Sequence, residues 1–100
     1  MKIKNNSILA VDMDGVLSEG DSFTDEECLK AKPIQKIIDK VNKLNRQGVF
    51  IIIHSSRKEW LREATTYWLN VHKVRYNAIV LGKLWSNYYL DDRNLLIKDL

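Results

Sequence analysis

The chain has 100 residues, 45% hydrophobic and 29% charged, with a formal net charge of +3. One hydrophobic core fits this length and a separate substrate-binding domain does not; the lone cysteine, Cys28, excludes an internal disulfide. No apolar run nears the roughly 20 residues of a membrane span, and the charge balance is well short of a dedicated nucleic-acid binder; it permits an anionic partner or serves solubility alone.

Residues 1–100 read as a single domain with no linker, repeat or low-complexity tract. Ser7 to Val11 is a short apolar run ending at Asp12, suited to a strand covered on both faces. Asp12 and Asp14 interrupt it too early for a secretion signal, so a reduced, cytoplasmic setting is expected. Pro33 to Gln47 predicts a helix. Ile34, Ile37, Ile38, Val41 and Leu44 recur at steps of three and four, Pro33 suits the first helical position, and Gly48 suits the stop. Val49 to Ile53 is β-branched and aromatic and predicts a second strand.

Lys58 to Val71 predicts a second helix, with Leu61, Ala64, Trp68 and Val71 on its inner face. Ala78 to Leu81 and Tyr88 to Leu90 predict two more short strands. Leu95 to Ile97 fits either a strand or a helical turn. The alternation of strands and helices predicts an α/β architecture, a parallel sheet with helices on both faces. Ligands in such sheets bind beyond the carboxyl ends of the strands. Each predicted strand delivers polar residues there: Asp12 and Asp14, then Ser55 and Ser56, then Lys83, then Asp91 and Asp92.

Two carboxylates two residues apart point the same way in extended backbone, and their repulsion is relieved by a cation between them. An Asp-Gly hairpin turn competes for Asp14-Gly15, but Ser18 to Ser22 offers no second strand. Asp91 and Asp92 add oxygens of the kind that Mg²⁺ takes. Alone, such a pair is a solvated turn; opposite Asp12 and Asp14 it reads as a metal site. Lys83 behind Gly82 is placed to meet a phosphoryl oxygen, and Ser55 and Ser56 can donate to the same anion or cap the following helix. His54 reads as a hydrogen-bonded core residue, and Trp60, Trp68 and Trp85 as packing side chains in preference to stacking platforms. Arg57, Lys58, Arg62, Trp85 and Arg93 are candidates for the edge of the site, and Cys28 has no catalytic assignment.

Asp12-Met13-Asp14-Gly15-Val16, Ile53-His54-Ser55-Ser56-Arg57, Gly82-Lys83 and Tyr89-Leu90-Asp91-Asp92 resemble, in order, the four motifs of the haloacid dehalogenase superfamily. The stretch from Ser55 to Asp92 is most similar to its small capless phosphatases, often associated with capsule or surface-polysaccharide biosynthesis. The phosphatase half of polynucleotide kinase–phosphatases is a more distant likeness. The resemblance implies a minimal hydrolase domain with a three-layer, Rossmann-like sheet and no cap. It implies an Mg²⁺-dependent phosphatase in which Asp12 attacks phosphorus to form an aspartyl-phosphate and Asp14 is general acid and base. Asp12, Asp14, Asp91 and Asp92 would hold Mg²⁺, with Asp91 favoured over Asp92 as the direct ligand. Ser55, Ser56 and Lys83 would hold the phosphoryl oxygens.

The second carboxylate, Asp14, argues for phosphate chemistry over carbon–halogen chemistry within that superfamily. Ser55 stands where the pattern commonly has Thr, and eight residues follow Asp92, so the last strand and helix are expected to be shortened. An open site of this kind suits a phosphorylated substrate such as a sugar phosphate or a nucleic-acid end, without a membrane, and leaves room for a homo-oligomer. A catalytically weak phosphate-binding or interaction module is the alternative.

Overall fold

Three parallel strands make the sheet, and their register decides which side chains meet the helices. In the computed structural model, which describes residues 3–100, β1 (Ile8–Val11), β2 (Phe50–His54) and β3 (Ala78–Val80) lie side by side in chain order. Leu9 is paired with Ile51, Val11 with Ile53, and Ile53 with Ile79. The pleat sends these residues to one face. Ile8, Ala10, Phe50, Ile52, His54 and Val80 go to the other.

Between the strands run α1 (Asp25–Lys30), α2 (Gln35–Arg46) and α3 (Arg62–Val71). Ile37, Ile38 and Val41 of α2 and Trp68 and Leu69 of α3 join Val11, Ile51 and Ile53 in one buried cluster. Both long helices therefore cover the same face of the sheet. Asn42 joins them at the far end, donating to the Lys73 carbonyl at 3.0 Å and accepting from the Arg75 amide at 2.7 Å. α2 stops where Gly48 takes φ +103°, a left-handed conformation that a side chain would strain.

The second face departs from the expectation. Ile8 is 69% exposed, Phe50 44% and Val80 46%, so no helix layer covers them and the sheet has two layers where three were expected. Tyr88 to Leu90 also forms no strand: Leu90 is fully exposed, and Ser86 Oγ both donates to the Tyr88 carbonyl and accepts from its amide. Such local side-chain bonds compete with a ladder. The tail instead ends in a 3₁₀ turn, Ile97–Asp99, which resolves the choice left by the sequence in favour of a helical turn.

Smaller differences have similar causes. Pro33 lies before α2, bridged to Ser18; Ile34 donates its amide to the Leu17 carbonyl at 2.8 Å and serves as the cap, so the first helical residue is Gln35, two positions on. Val71 is exposed, and Leu69, four residues after the buried Thr65, takes its place in the core. Among the described residues no helix is long and apolar enough to cross a membrane, and no cap domain is present.

The asymmetry of the sheet is measurable. Ile53→Ala, emptying a fully buried position, is expected to cost about 2–5 kcal/mol. Ile8→Ala, on the bare face, is expected to stay within about 0.5 kcal/mol of wild type. Urea denaturation midpoints test both; equal losses would mean that the second face is covered after all.

Candidate active site

The segment after β1 is a tight loop pinned from below. Met13 and Leu17 are fully buried, and the Met13 carbonyl accepts from the amides of Val16, Leu17 and Ser18. Gly15, at φ +82°, permits the reversal. Met13 points into the core, Asp12 lines the cleft beside Lys83, and Asp14 is turned toward Arg57. The loop runs on into α1, so Asp14-Gly15 is not a hairpin turn.

Asp12 and Asp14 have different surroundings. The Asp12 side chain is 42% exposed; its Oδ2 lies 3.9 Å from Lys83 Nζ, and its Oδ1 accepts from the Met13 amide at 2.7 Å. Asp14 is 14% exposed and gripped by Arg57, whose Nη2 donates to Oδ1 at 2.7 Å and whose Nε donates to Oδ2 at 3.1 Å. Arg57 has a side chain only 1% exposed, and its Nη1 donates to Thr65 Oγ1 of α3 at 2.9 Å. Asp12 is thus open to a ligand, and Asp14 is fixed in place.

Neighbouring loops of β2 and β3 form the remaining wall. Ser55 is fully buried: its amide donates to the Val80 carbonyl, its carbonyl accepts from the Lys83 amide, and its Oγ accepts from the Arg57 amide at 3.1 Å. The Gly82 amide donates to the Arg57 carbonyl at 2.9 Å. Ser55 therefore ties the two loops together and seats Lys83, while the half-buried Ser56 stands next to it in the chain. Lys83 Nζ also sits 4.7 Å from the centre of the Tyr89 ring, a cation–π contact that holds the ammonium at the rim.

Asp91 and Asp92 line the same cleft as Asp12, His54 and Lys83. Both are exposed, however, and are engaged with their neighbour: Asp91 Oδ1 accepts from the Arg93 amide at 2.7 Å, and Asp92 lies 3.9 Å from Arg93 Nε. Among the described residues no three acidic, His or Cys side chains stand together as a metal site. The arrangement brings Asp12 and Lys83 together and puts the Asp91-Asp92 pair along one cleft with them, but it does not draw Asp12, Asp14, Asp91 and Asp92 into one ligand set for Mg²⁺.

Sequence reasoning put Arg57 at the site's edge and passed over Thr65. The missed signal is combinatorial. An Arg three residues after a strand and a Thr eight residues on, at the inner face of the next helix, offer a buried guanidinium its second partner. Trp60 and Trp85, at 72% and 69% exposed, do not pack as expected, whereas Trp68 does, and its Nε1 donates to the Ala31 carbonyl at 2.8 Å. Cys28 of α1 is buried with Leu61 and Ala64. Burial pushes its thiol pKa up, against smaller opposing pulls from Arg57 and Thr65.

Two measurements follow from this geometry. Asp14→Ala leaves a buried guanidinium unpaired and is expected to lower stability by about 3–5 kcal/mol in urea. Asp12→Ala, which removes a long, part-exposed ion pair and one hydrogen bond to the Met13 amide, is expected to lower it by less, about 1–2 kcal/mol. Cys28 is expected to react slowly with a thiol-specific reagent at neutral pH in the folded protein and quickly in denaturant, because burial and a raised pKa both withhold thiolate; equal rates would show that α1 opens freely.

No family model matches the chain, and no curated protein matches it. Among solved structures, a Vibrio cholerae protein known from its crystal structure is similar, with a TM-score of 0.79 and 25% identity over 93% of this chain and 85% of its own. A chain from the Pnkp1/Rnl/Hen1 RNA repair complex gives 0.69 at 20% identity over 77% of this chain, and one from a second structure of the Pnkp1/Rnl/Hen1 complex gives 0.71 at 20% identity over 91%. This chain spans 26% and 32% of those two. These likenesses establish the shared fold, an α/β arrangement around a parallel sheet.

Proposed function

We propose that this protein is a phosphohydrolase for phosphate monoesters, acting through Asp12. The observation that carries the reading is the pairing of an accessible Asp12 carboxylate with Lys83 Nζ at 3.9 Å, at the carboxyl end of the sheet. A carboxylate there has an open approach to phosphorus, and an ammonium beside it attracts the phosphoryl group. The resemblance of the four motifs and the structural likeness to a chain of an RNA repair complex support the same reading.

In the proposed reaction a carboxylate oxygen of Asp12 attacks phosphorus and the bond to the ester oxygen breaks, splitting one hard displacement into two easier ones. Lys83 and Ser56 hold non-bridging oxygens, and Ser55 supports Lys83 from beneath. Asp14 exchanges protons with the leaving oxygen and then with the attacking water. Mg²⁺ is expected from the resemblance, but its ligands are not assembled in this arrangement, and no step of the proposed reaction is routed through it.

One observation favours a second reading, a phosphate-binding module without turnover: Asp91 and Asp92 stand exposed on the tail instead of closing around Asp12. The two readings separate in one assay. Hydrolysis of an aryl phosphate with Mg²⁺ in the buffer is expected to fall at least about 1,000-fold in Asp12→Asn, the scale of losing a covalent nucleophile. Equal rates for wild type and variant would remove the phosphohydrolase reading. A panel of sugar phosphates and 3′-phosphorylated oligonucleotides then assigns the substrate class, a steep salt dependence marking the nucleic acid.

A further inference from the structure

We infer that Arg57 is a positioning residue for Asp14: it aims the Asp14 carboxyl at the leaving oxygen without touching the substrate. The inference rests on the phosphohydrolase reading and deepens it. Its basis is the two-pronged contact at 2.7 and 3.1 Å between Arg57 and Asp14, together with the third bond from Arg57 to Thr65 at 2.9 Å. A planar guanidinium held at both ends fixes the rotation of the carboxylate as well as its distance. With its side chain 1% exposed, Arg57 cannot itself reach a phosphoryl group.

Each carboxylate oxygen has two lone-pair sites. The guanidinium takes one on each oxygen of Asp14, and the others stay free for proton exchange. The reactive form is the fraction that binds substrate with Asp14 protonated at a lone-pair site the guanidinium leaves free; as the bond from Asp12 to phosphorus forms and the phosphorus–ester bond breaks, the electron pair moves to the leaving oxygen, which takes that proton. Asp14 is left as a carboxylate in the grip of Arg57. It then takes a proton from the water that attacks phosphorus, releasing phosphate and restoring both aspartates. Arg57 keeps one carboxyl in one orientation through both transfers.

The arrangement has further supports that a surface arginine lacks. The Arg57 amide donates to Ser55 Oγ, and its carbonyl accepts from the Gly82 amide, so the backbone that carries it is anchored to the end of its own strand and to the loop after β3. Thr65 is fully buried on α3, so the guanidinium is braced by a helix instead of by solvent.

The test uses leaving groups that differ in their need for a proton. Nitrophenolate departs without one; an alkoxide does not. Arg57→Lys keeps the charge but loses the fork, and is expected to lower kcat on 2-phosphoglycerol by about 100-fold, the scale of general-acid catalysis, with KM little changed. On p-nitrophenyl phosphate the same variant is expected to lose less than about 5-fold, because that leaving group calls for little general-acid help. Thr65→Val, which leaves the ion pair and removes only the brace, is expected to show the same selectivity on a smaller scale and serves if Arg57→Lys does not fold. Equal losses on both substrates, or no loss on either, would overturn the role of Arg57 while Asp12→Asn remains inactive. An Asp12→Asn variant as active as wild type would instead overturn the phosphohydrolase reading beneath it.

Discussion

The ion pair between Arg57 and Asp14 is the constraint on which the rim of this molecule is built. It is the meeting point of the loop after β1, the loop after β2 and, through Thr65, the helix that follows. Burying a guanidinium carries a desolvation penalty of several kcal/mol, which only good geometry and full hydrogen bonding repay. Arg57 has the geometry, and each of its three guanidinium nitrogens has a partner. Because the pair consumes the freedom of Asp14 and leaves that of Asp12, two chemically identical side chains two residues apart acquire separate characters from their neighbours alone.

The rest of the rim follows from backbone pairing. Ser55, Arg57, Val80, Gly82 and Lys83 continue the β2–β3 ladder past the last strand residues, so Lys83 arrives beside Asp12 on a tethered backbone. The tail beyond Lys83 is tied down by weaker means: a ring against an ammonium and hydroxyl bonds between near neighbours. A firm half of the site, with Asp12, Asp14 and Lys83, thus faces a loosely attached half with Asp91 and Asp92.

Much of the fold was legible in the sequence because it depends on periodicity. Ile37, Ile38 and Val41 repeat as an amphipathic helix must, and Ile51 to Ile53 are too apolar and too branched for anything but a strand in the core. A further signal went unread. Thr24 three residues before Glu27 is a helix-capping pattern, and α1 starts there, with the Glu27 amide donating to Thr24 Oγ1 at 3.1 Å. The missing fourth strand and the bare face were not legible, since a short apolar run cannot say whether a partner will pair with it or cover it. The same limit applies to the site. Asp12 and Lys83 sit at strand ends and could be placed by topology, but the grip of Arg57 on Asp14 depends on side-chain reach across loops.

The bare sheet face has a thermodynamic signature of its own. The heat capacity of unfolding tracks the apolar surface newly wetted when the chain opens. Here Ile8, Phe50 and Val80 are already partly hydrated before unfolding begins. The increment should therefore fall below the roughly 1.2–1.5 kcal/mol/K typical of a 100-residue domain. A smaller increment flattens the dependence of stability on temperature, so the fold loses stability more gently on either side of its maximum.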